Sequence, residues 1–286
     1  MTALGDLTTA CPPNWCAGCG DIAIWGAFKN SCVQKDWNSG NSVLVAGIGC
    51  HGHIVNFTKI TSFEGLHGRA LPVATGLKMA NHGLNVFVFT GDGDCLAEGG
   101  NHFMHASRRN HNLTVFIHDN AIYGLTIGQT SPRSPHGFKS KSTPEGNMDF
   151  PVNPLTLAIA AGATWVGRGY AGDIAGLATL MISAHEHQGL SVLDILQPCV
   201  TYNHEYTHTY YRENTYQLDQ SYDPTNKLTA FAKALEWGPK QIPLGVFYKN
   251  TDEPTYESQL PQLAVKPLVK SSPERKDLSA LFKEFV

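Results

Sequence analysis

Long apolar runs are missing from this sequence: no uninterrupted stretch approaches the roughly 18 residues that a membrane-spanning helix needs. Met1–Ala10 lacks a basic start and a long apolar segment, so no secretory signal is expected there. Blocks of one charge are absent as well. Lysine and arginine number 21 against 24 aspartates and glutamates, and no basic face recurs at helical spacing, which excludes the electrostatic footprint of a nucleic-acid binder. There is no internal repeat and no low-complexity tract. An odd count of seven cysteines without a secretory signal argues against a disulfide framework. The expectation is a soluble, cytoplasmic protein. With 42% hydrophobic residues in a chain of 286, a large core is expected.

What is present is alternation. Ser42–Gly47, Asn85–Thr90 and Leu113–His118 are short apolar runs of the kind that form buried strands. Leu71–Asn81 and Cys95–Asn110 carry Ala, Leu and Met at helical spacing. Leu155–Ala161 (helix), Thr164–Val166 (strand), Ile174–Glu186 (helix) and Ser191–Ile195 (strand) continue the series. Such a series predicts an α/β fold with a mostly parallel sheet covered by helices on both faces. Ligands in such folds bind beyond the carboxyl ends of strands, which directs attention to the loops after Gly47, Thr90 and His118. Gln129–Met148, rich in Ser, Pro, Gly and Lys, reads as a long surface loop. Beyond Tyr202 the pattern weakens. We divide the chain into a domain over residues 1–200 and a C-terminal arm over 201–286, laid on the domain or on a partner.

Gly91-Asp92-Gly93-Asp94 follows one of the apolar runs and precedes a helix. Its glycines would let the backbone approach a pyrophosphate, and a helix start offers free N–H groups to phosphate oxygens. Asp92 adds a hard oxygen ligand for Mg²⁺. A later strand ends at Asp119-Asn120-Ala121-Ile122-Tyr123-Gly124, where the Asn120 amide oxygen and the Ile122 carbonyl could complete the metal shell. Asp92 and Asp94 as plain helix caps is the competing reading. Gly-Asp-Gly followed at this interval by Asn resembles the metal–pyrophosphate motif of thiamine-diphosphate enzymes.

Trp15-Cys16-Ala17-Gly18-Cys19-Gly20 sets two thiolates in a glycine-flanked turn. Cys50 stands in Gly49-Cys50-His51-Gly52-His53, and Cys199 in Gln197-Pro198-Cys199. Four thiolates from three loops suit a cubane cluster or a tetrahedral Zn²⁺. Zinc ribbons supply two close pairs, whereas this chain supplies one pair and two singles, which favours iron–sulfur. These motifs, with Leu66-His67-Gly68-Arg69-Ala70 and the Gly-Asp-Gly-Asp loop, resemble in order the β subunits of 2-oxoacid:ferredoxin oxidoreductases. The likeness runs from about Asn14 to Asn203, and more weakly into Leu235-Glu236-Trp237-Gly238.

The resemblance implies a pyrophosphate-type thiamine-diphosphate domain. It implies Cys16, Cys19, Cys50 and Cys199 as [4Fe–4S] ligands, and Asp92, Asn120 and the Ile122 carbonyl as Mg²⁺ ligands. It places Ile48, Gly49, Cys50, His51, His67, Gly93, Asp94, Gly124 and Leu125 around thiamine diphosphate. Cys11, Cys32 and Cys95 match no ligand position. The implied activity is oxidative decarboxylation of a 2-oxoacid to acyl-CoA and CO₂, with electrons passing singly through the cluster to ferredoxin, or the reverse carboxylation. The carboxylate that thiamine catalysis needs comes in this family from an α subunit, and Glu64 is a weak internal substitute. A higher-order hetero-oligomer, inactive as β alone, is expected. In broad-specificity members lysines stand where this sequence has His53 and Ile127. We expect His51, His53 and Leu125 to meet the substrate, with His53 helping to bind the distal carboxylate of 2-oxoglutarate. Pyruvate or a broad 2-oxoacid range, a thiamine enzyme with structural zinc, and a non-catalytic electron-transfer subunit are the alternatives.

Overall fold

The computed structural model describes residues 1–264, 266–271 and 277–285. Its elements run α1 (Gly20–Lys35), β1 (Ser42–Ala46), α2 (Ile54–Phe57), β2 (Thr61–Glu64), α3 (Ala70–Ala80), β3 (Asn85–Gly91), α4 (Gly100–Arg109), β4 (Thr114–Asp119), α5 (Pro154–Ala161), β5 (Trp165–Tyr170), α6 (Ile174–Glu186), β6 (Ser191–Leu196), α7 (His208–Asn214), β7 (Thr215–Gln217), α8 (Lys227–Ala234) and β8 (Ile242–Lys249). One sheet carries all eight strands in the order β2-β1-β3-β4-β6-β5-β8-β7. The six strands from β2 to β5 in that order are parallel, and β8 runs antiparallel to β5.

Period-two alternation sorts the apolar residues between two cores. Val43, Val45, Val86, Val88, Val115 and Ile117 turn to one face, under α3, α4, α5 and α8. Leu44, Ala46, Phe87, Phe89 and Phe116 turn to the other, under α1 and α6. Phe28 of α1 meets Phe87 and Phe89 edge-on, with centroids 5.1 and 5.0 Å apart. Because both faces are covered, these strands read as continuous apolar runs. No helix among the described residues is long and apolar enough to cross a membrane.

Several elements depart from expectation. The helix expected over Cys95–Asn110 is divided: a π-helical turn spans Gly93–Glu98 and α4 starts afresh at Gly100, the Gly99-Gly100 pair being a poor helix interior. The segment 129–148 forms no helix or strand, as a loop should, but it is not confined to the surface. Ser131, Arg133, Ser134 and Asn147 are buried, and the Ser134 hydroxyl donates to the Ala121 carbonyl. Beyond Tyr202 the chain does more than lie over the domain, since β8 joins the main sheet. Pro243 and Gly245 inside β8 hide it from a strand reading.

A buried ionic layer ties the strand ends together. Arg133 Nε donates to Asp119 at 2.6 Å, and Arg168 Nε to Asp194 at 2.9 Å. Arg168 also lies over the rings of Trp237 and Phe247, at 5.2 and 5.6 Å. The Asp194 carboxyl is pushed up to about 6 by burial and by nearby Asp119, against the pull of Arg168. Arg168→Met removes that pull and leaves a buried carboxylate unpaired, so a loss of about 3–5 kcal/mol is expected in equilibrium denaturation. The double variant Arg168→Met/Asp194→Leu should recover most of it. An equal loss in the double variant would show that the unpaired Asp194 carboxylate is not the cause of the loss.

Candidate active site

The loops after β1, β3 and β4 converge at the carboxyl edge of the sheet. Between them lies a cavity of about 390 Å³, lined among others by Ile48, Gly49, Cys50, His51, His67, Asp92, Gly93, Asp94, Asn120, Ile122, Gly124 and Leu125. Every residue assigned to thiamine diphosphate from the sequence is on this wall.

Asp94 holds the loops in register. Its Oδ1 accepts from the Ile48 N–H at 3.2 Å and the Gly68 N–H at 2.7 Å, while Oδ2 accepts from the Thr90 hydroxyl at 2.6 Å. Three strand-end segments are thereby pinned by one carboxylate. A Cβ on Gly47 would come within 1.8 Å of that carboxylate, so only glycine leaves room for it. His51 is buried beside Asp94, but its Nε2 stands 3.7 Å from Oδ2, too far for a hydrogen bond. That nitrogen instead accepts the Gly91 N–H at 3.1 Å. Gly93 also has a reason the sequence did not suggest: a Cβ there would lie 2.2 Å from the Tyr123 ring. The glycine makes room for a neighbouring side chain.

Asp92, Asn120 and Ile122 share the cavity floor. Asp92 is buried and accepts from the Ser131 hydroxyl. Burial, and then the charge of Asp119, push its carboxyl well above the usual carboxylate range. A divalent cation would supply further countercharge here, and this oxygen donor set fits Mg²⁺. The Asn120 Oδ1 accepts the Ile122 N–H at 3.0 Å and keeps a second lone pair.

A second cavity, about 180 Å³, is lined by Cys16, Cys19, Cys50 and Cys199 together with Trp15, His53, Gln197 and Thr201. Cys19 is the N-cap of α1, so its sulfur sits at the positive end of a helix. Burial pushes the Cys19 thiol up, and lifts Cys50 to about 12, so iron would have to displace their protons. Trp15 Nε1 donates to the Cys50 carbonyl at 2.6 Å, closing one side. Among the described residues no three His, Cys, Asp or Glu converge on a single-ion site. Four cysteines around one chamber are a donor set that a four-thiolate iron–sulfur cluster would use. Cys32 and Cys95 are buried in the two cores, and Cys11 is exposed; none lines this chamber.

The two cavities share Cys50, Asn120, Gly124 and Leu125. A Cβ on Gly124 would lie 3.5 Å from Cys50 Sγ and 3.7 Å from Cys199 Sγ, so the partition there is one backbone thick. Leu125, 45% exposed, fronts both cavities. His53 lines only the cysteine cavity, its Nδ1 2.8 Å from Asn14 Oδ1. Glu64 is exposed on β2 and lines neither cavity. Residues that sequence reasoning missed include Tyr123 and Glu98 on the cofactor wall, Ser131 against Asp92, and Asp21, His118 and Gln197 behind Cys19. Gln197 stood inside a quoted cysteine motif and Asp21 directly follows the other; nothing in the sequence distinguishes Ser131.

Residues 47–195 match the family model of the C-terminal TPP-binding domain of thiamine pyrophosphate enzymes, and residues 199–265 that of the C-terminal part of the pyruvate ferredoxin oxidoreductase β subunit. The chain is 44% identical to a Sulfolobus 2-oxoacid:ferredoxin oxidoreductase subunit β over 260 residues, covering 86% of this chain and 85% of that one. It is 42% identical to the 2-oxoglutarate synthase subunit KorB of Archaeoglobus fulgidus, over 68% of this chain and 73% of that one. A solved structure, 2-oxoglutarate:ferredoxin oxidoreductase from Magnetococcus marinus with 2-oxoglutarate, coenzyme A and succinyl-CoA bound, superposes with a TM-score of 0.90 at 31% identity, covering 99% of this chain and 96% of that one. With cofactor loops and cysteine chamber built on the same strand ends, the chain belongs to the β subunits of the 2-oxoacid:ferredoxin oxidoreductases.

Proposed function

We propose that this subunit, joined to an α subunit, converts 2-oxoglutarate and coenzyme A to succinyl-CoA and CO₂, releasing the thiol proton and two electrons that leave singly for ferredoxin. The carrying observation is the shared wall. Two cavities separated by Gly124, with Cys50 common to both, are what a reaction combining decarboxylation with one-electron transfer requires. Support for 2-oxoglutarate comes from the KorB relative and from the ligands of the M. marinus structure. Exposed Phe63, Leu66, Met148 and Phe150 leave apolar surface that a partner subunit would cover. Unpaired cysteines support a reducing, cytoplasmic setting.

Asp92, Asn120 and the Ile122 carbonyl would hold Mg²⁺, and the start of the turn at Gly93 would meet the pyrophosphate. Cys16, Cys19, Cys50 and Cys199 would hold a [4Fe–4S] cluster, whose chemistry is to accept and pass on one electron. Thiamine diphosphate, when bound, supplies the carbon nucleophile and electron sink for decarboxylation. Asp94 keeps the three loops together. Trp15, packed against Phe57 at 4.7 Å between centroids, covers the Cys50 side of the cysteine chamber. His51 and Leu125 line the cofactor cavity, and His53, on the cysteine cavity that shares Leu125 with it, would read the second carboxylate together with cationic groups of the α subunit.

Two substitutions should separate the centres. Asp92→Ala is expected to weaken thiamine diphosphate binding at least tenfold, while iron and the broad absorbance near 400 nm stay. Cys199→Ser, outside the cofactor cavity, should remove the iron and leave thiamine binding within a few-fold. A colourless native protein with stoichiometric zinc would refute the cluster. The β subunit alone should show no turnover until α is added, and turnover without α would refute the divided site. In the complex, His53→Ala should lower kcat/KM for 2-oxoglutarate relative to pyruvate by about tenfold. An unchanged ratio removes His53 from substrate recognition.

A further inference from the structure

Helix α4 carries a basic face that a count of lysines and arginines does not show. His102, His105 and Arg109 recur at spacings of three and four, so they share one side of the helix. With Thr75 of α3 and His111 just beyond α4, they line a cleft of about 130 Å³ between the two helices. No aspartate or glutamate among the described residues lines it. The whole chain has a formal charge of −3, so this concentration of basic groups is local. None of Arg69, Arg108 and Arg109 forms an ion pair among the described residues.

Two arginines outside the cleft fix the polarity inside it. Arg69 Nη1 lies 2.7 Å from His102 Nε2, and Arg108 Nε donates to His105 Nδ1 at 3.0 Å. A guanidinium has only donors, so both ring nitrogens accept, and each neutral ring carries its hydrogen on the other nitrogen. Burial, and then the charge of Arg69, hold the His102 ring below the usual histidine range, in keeping with that form. His102 Nδ1 and His105 Nε2 are thereby donors for as long as the arginines hold them. Glu257, 2.7 Å from His111 Nδ1, lies outside the cleft, and its second oxygen accepts from the Asn112 N–H at 3.1 Å. Its charge is engaged elsewhere.

We propose that the cleft between α3 and α4 binds a small oxyanion of the phosphate class, held by Arg109 and by the ring N–H groups of His102 and His105. Phosphate accepts at every oxygen, which is what a wall of donors requires. The guanidinium fork fits two of those oxygens, and charge-assisted bonds of this kind are about twice as strong as neutral ones. Sites for drug-sized molecules start at about 300 Å³, so this cleft is too small for a nucleotide. It takes either free phosphate or one phosphoryl group of a larger molecule whose remainder stays outside. Coenzyme A, a substrate of the reaction proposed above, carries such groups. His67, two residues before Arg69, and Glu98, four before His102, line the cofactor cavity, so the His102 end of the cleft starts close to that cavity's rim.

The test begins with the α–β complex saturated with thiamine diphosphate and Mg²⁺, which fills the other place where phosphate could bind. Inorganic phosphate is then titrated in by calorimetry at constant ionic strength. Saturable binding is expected, with a Kd of about 1 mM. Arg109→Met should weaken it about tenfold, and Arg109→Lys, which keeps the charge but not the fork, should weaken it less. Arg212→Met removes an exposed arginine of α7 and should change nothing. No saturable binding, unchanged binding in Arg109→Met, or an equal loss in Arg109→Met and Arg212→Met would overturn the inference. Titrations with coenzyme A and its 3′-dephospho form separate the two sources. A tenfold loss of coenzyme A affinity in Arg109→Met assigns the group to the coenzyme, and an unchanged affinity assigns the site to free phosphate. None of these titrations needs turnover, so this inference and the proposed reaction can fail separately.

Discussion

The partition at Gly124 is the constraint to which the other features of the site answer. Two cavities can share a wall one backbone thick only if the strands on either side end at matching heights and their loops stay in place. Parallel pairing of β1 with β3 and of β3 with β4 sets those heights. Asp94 then fixes the loops by accepting from Ile48, Gly68 and Thr90. Cys50 can therefore belong to the sulfur chamber while its neighbours Gly49 and His51 face the other cavity. Proximity of the two cavities is a consequence of strand geometry and needs no separate device.

Buried charge is spent in this fold where the site requires it. The ionic layer of Asp119, Arg133, Arg168 and Asp194 lies just behind Asn120, and Arg133 carries the 129–153 loop inward until Ser131 reaches Asp92. Buried ion pairs contribute little net stability, and their use here is to position. The loop that read as solvent-exposed is thereby the outer support of Asp92.

Much of this was legible in the sequence because it depends on local pattern. The buried strands Ser42–Ala46, Asn85–Gly91 and Thr114–Asp119 announce themselves as continuous β-branched and aromatic runs, and the Gly-Asp-Gly turn and cysteine spacings follow them directly. The cavity residues named from motifs lie on one wall. What escaped depends on long-range packing. Helix α1 is amphipathic only weakly, because it is buried against α6, and its start is marked by cysteine instead of a polar cap. Strand β8 carries a proline and a left-handed glycine. Ser131, His118 and Gln197 acquire their roles only when distant segments meet, and Gly93 is glycine because of Tyr123, a contact that no spacing reveals.

The account stands on one spatial claim, that an iron–sulfur centre sits beyond Gly124 from the thiamine site. Diffraction at the iron absorption edge from anaerobically grown crystals of the α–β complex measures it directly. The account predicts strong anomalous density inside the chamber of Cys16, Cys19, Cys50 and Cys199, with thiamine diphosphate on the other side of Gly124. A chamber without iron density, or one whose only anomalous signal appears at the zinc edge, would contradict it.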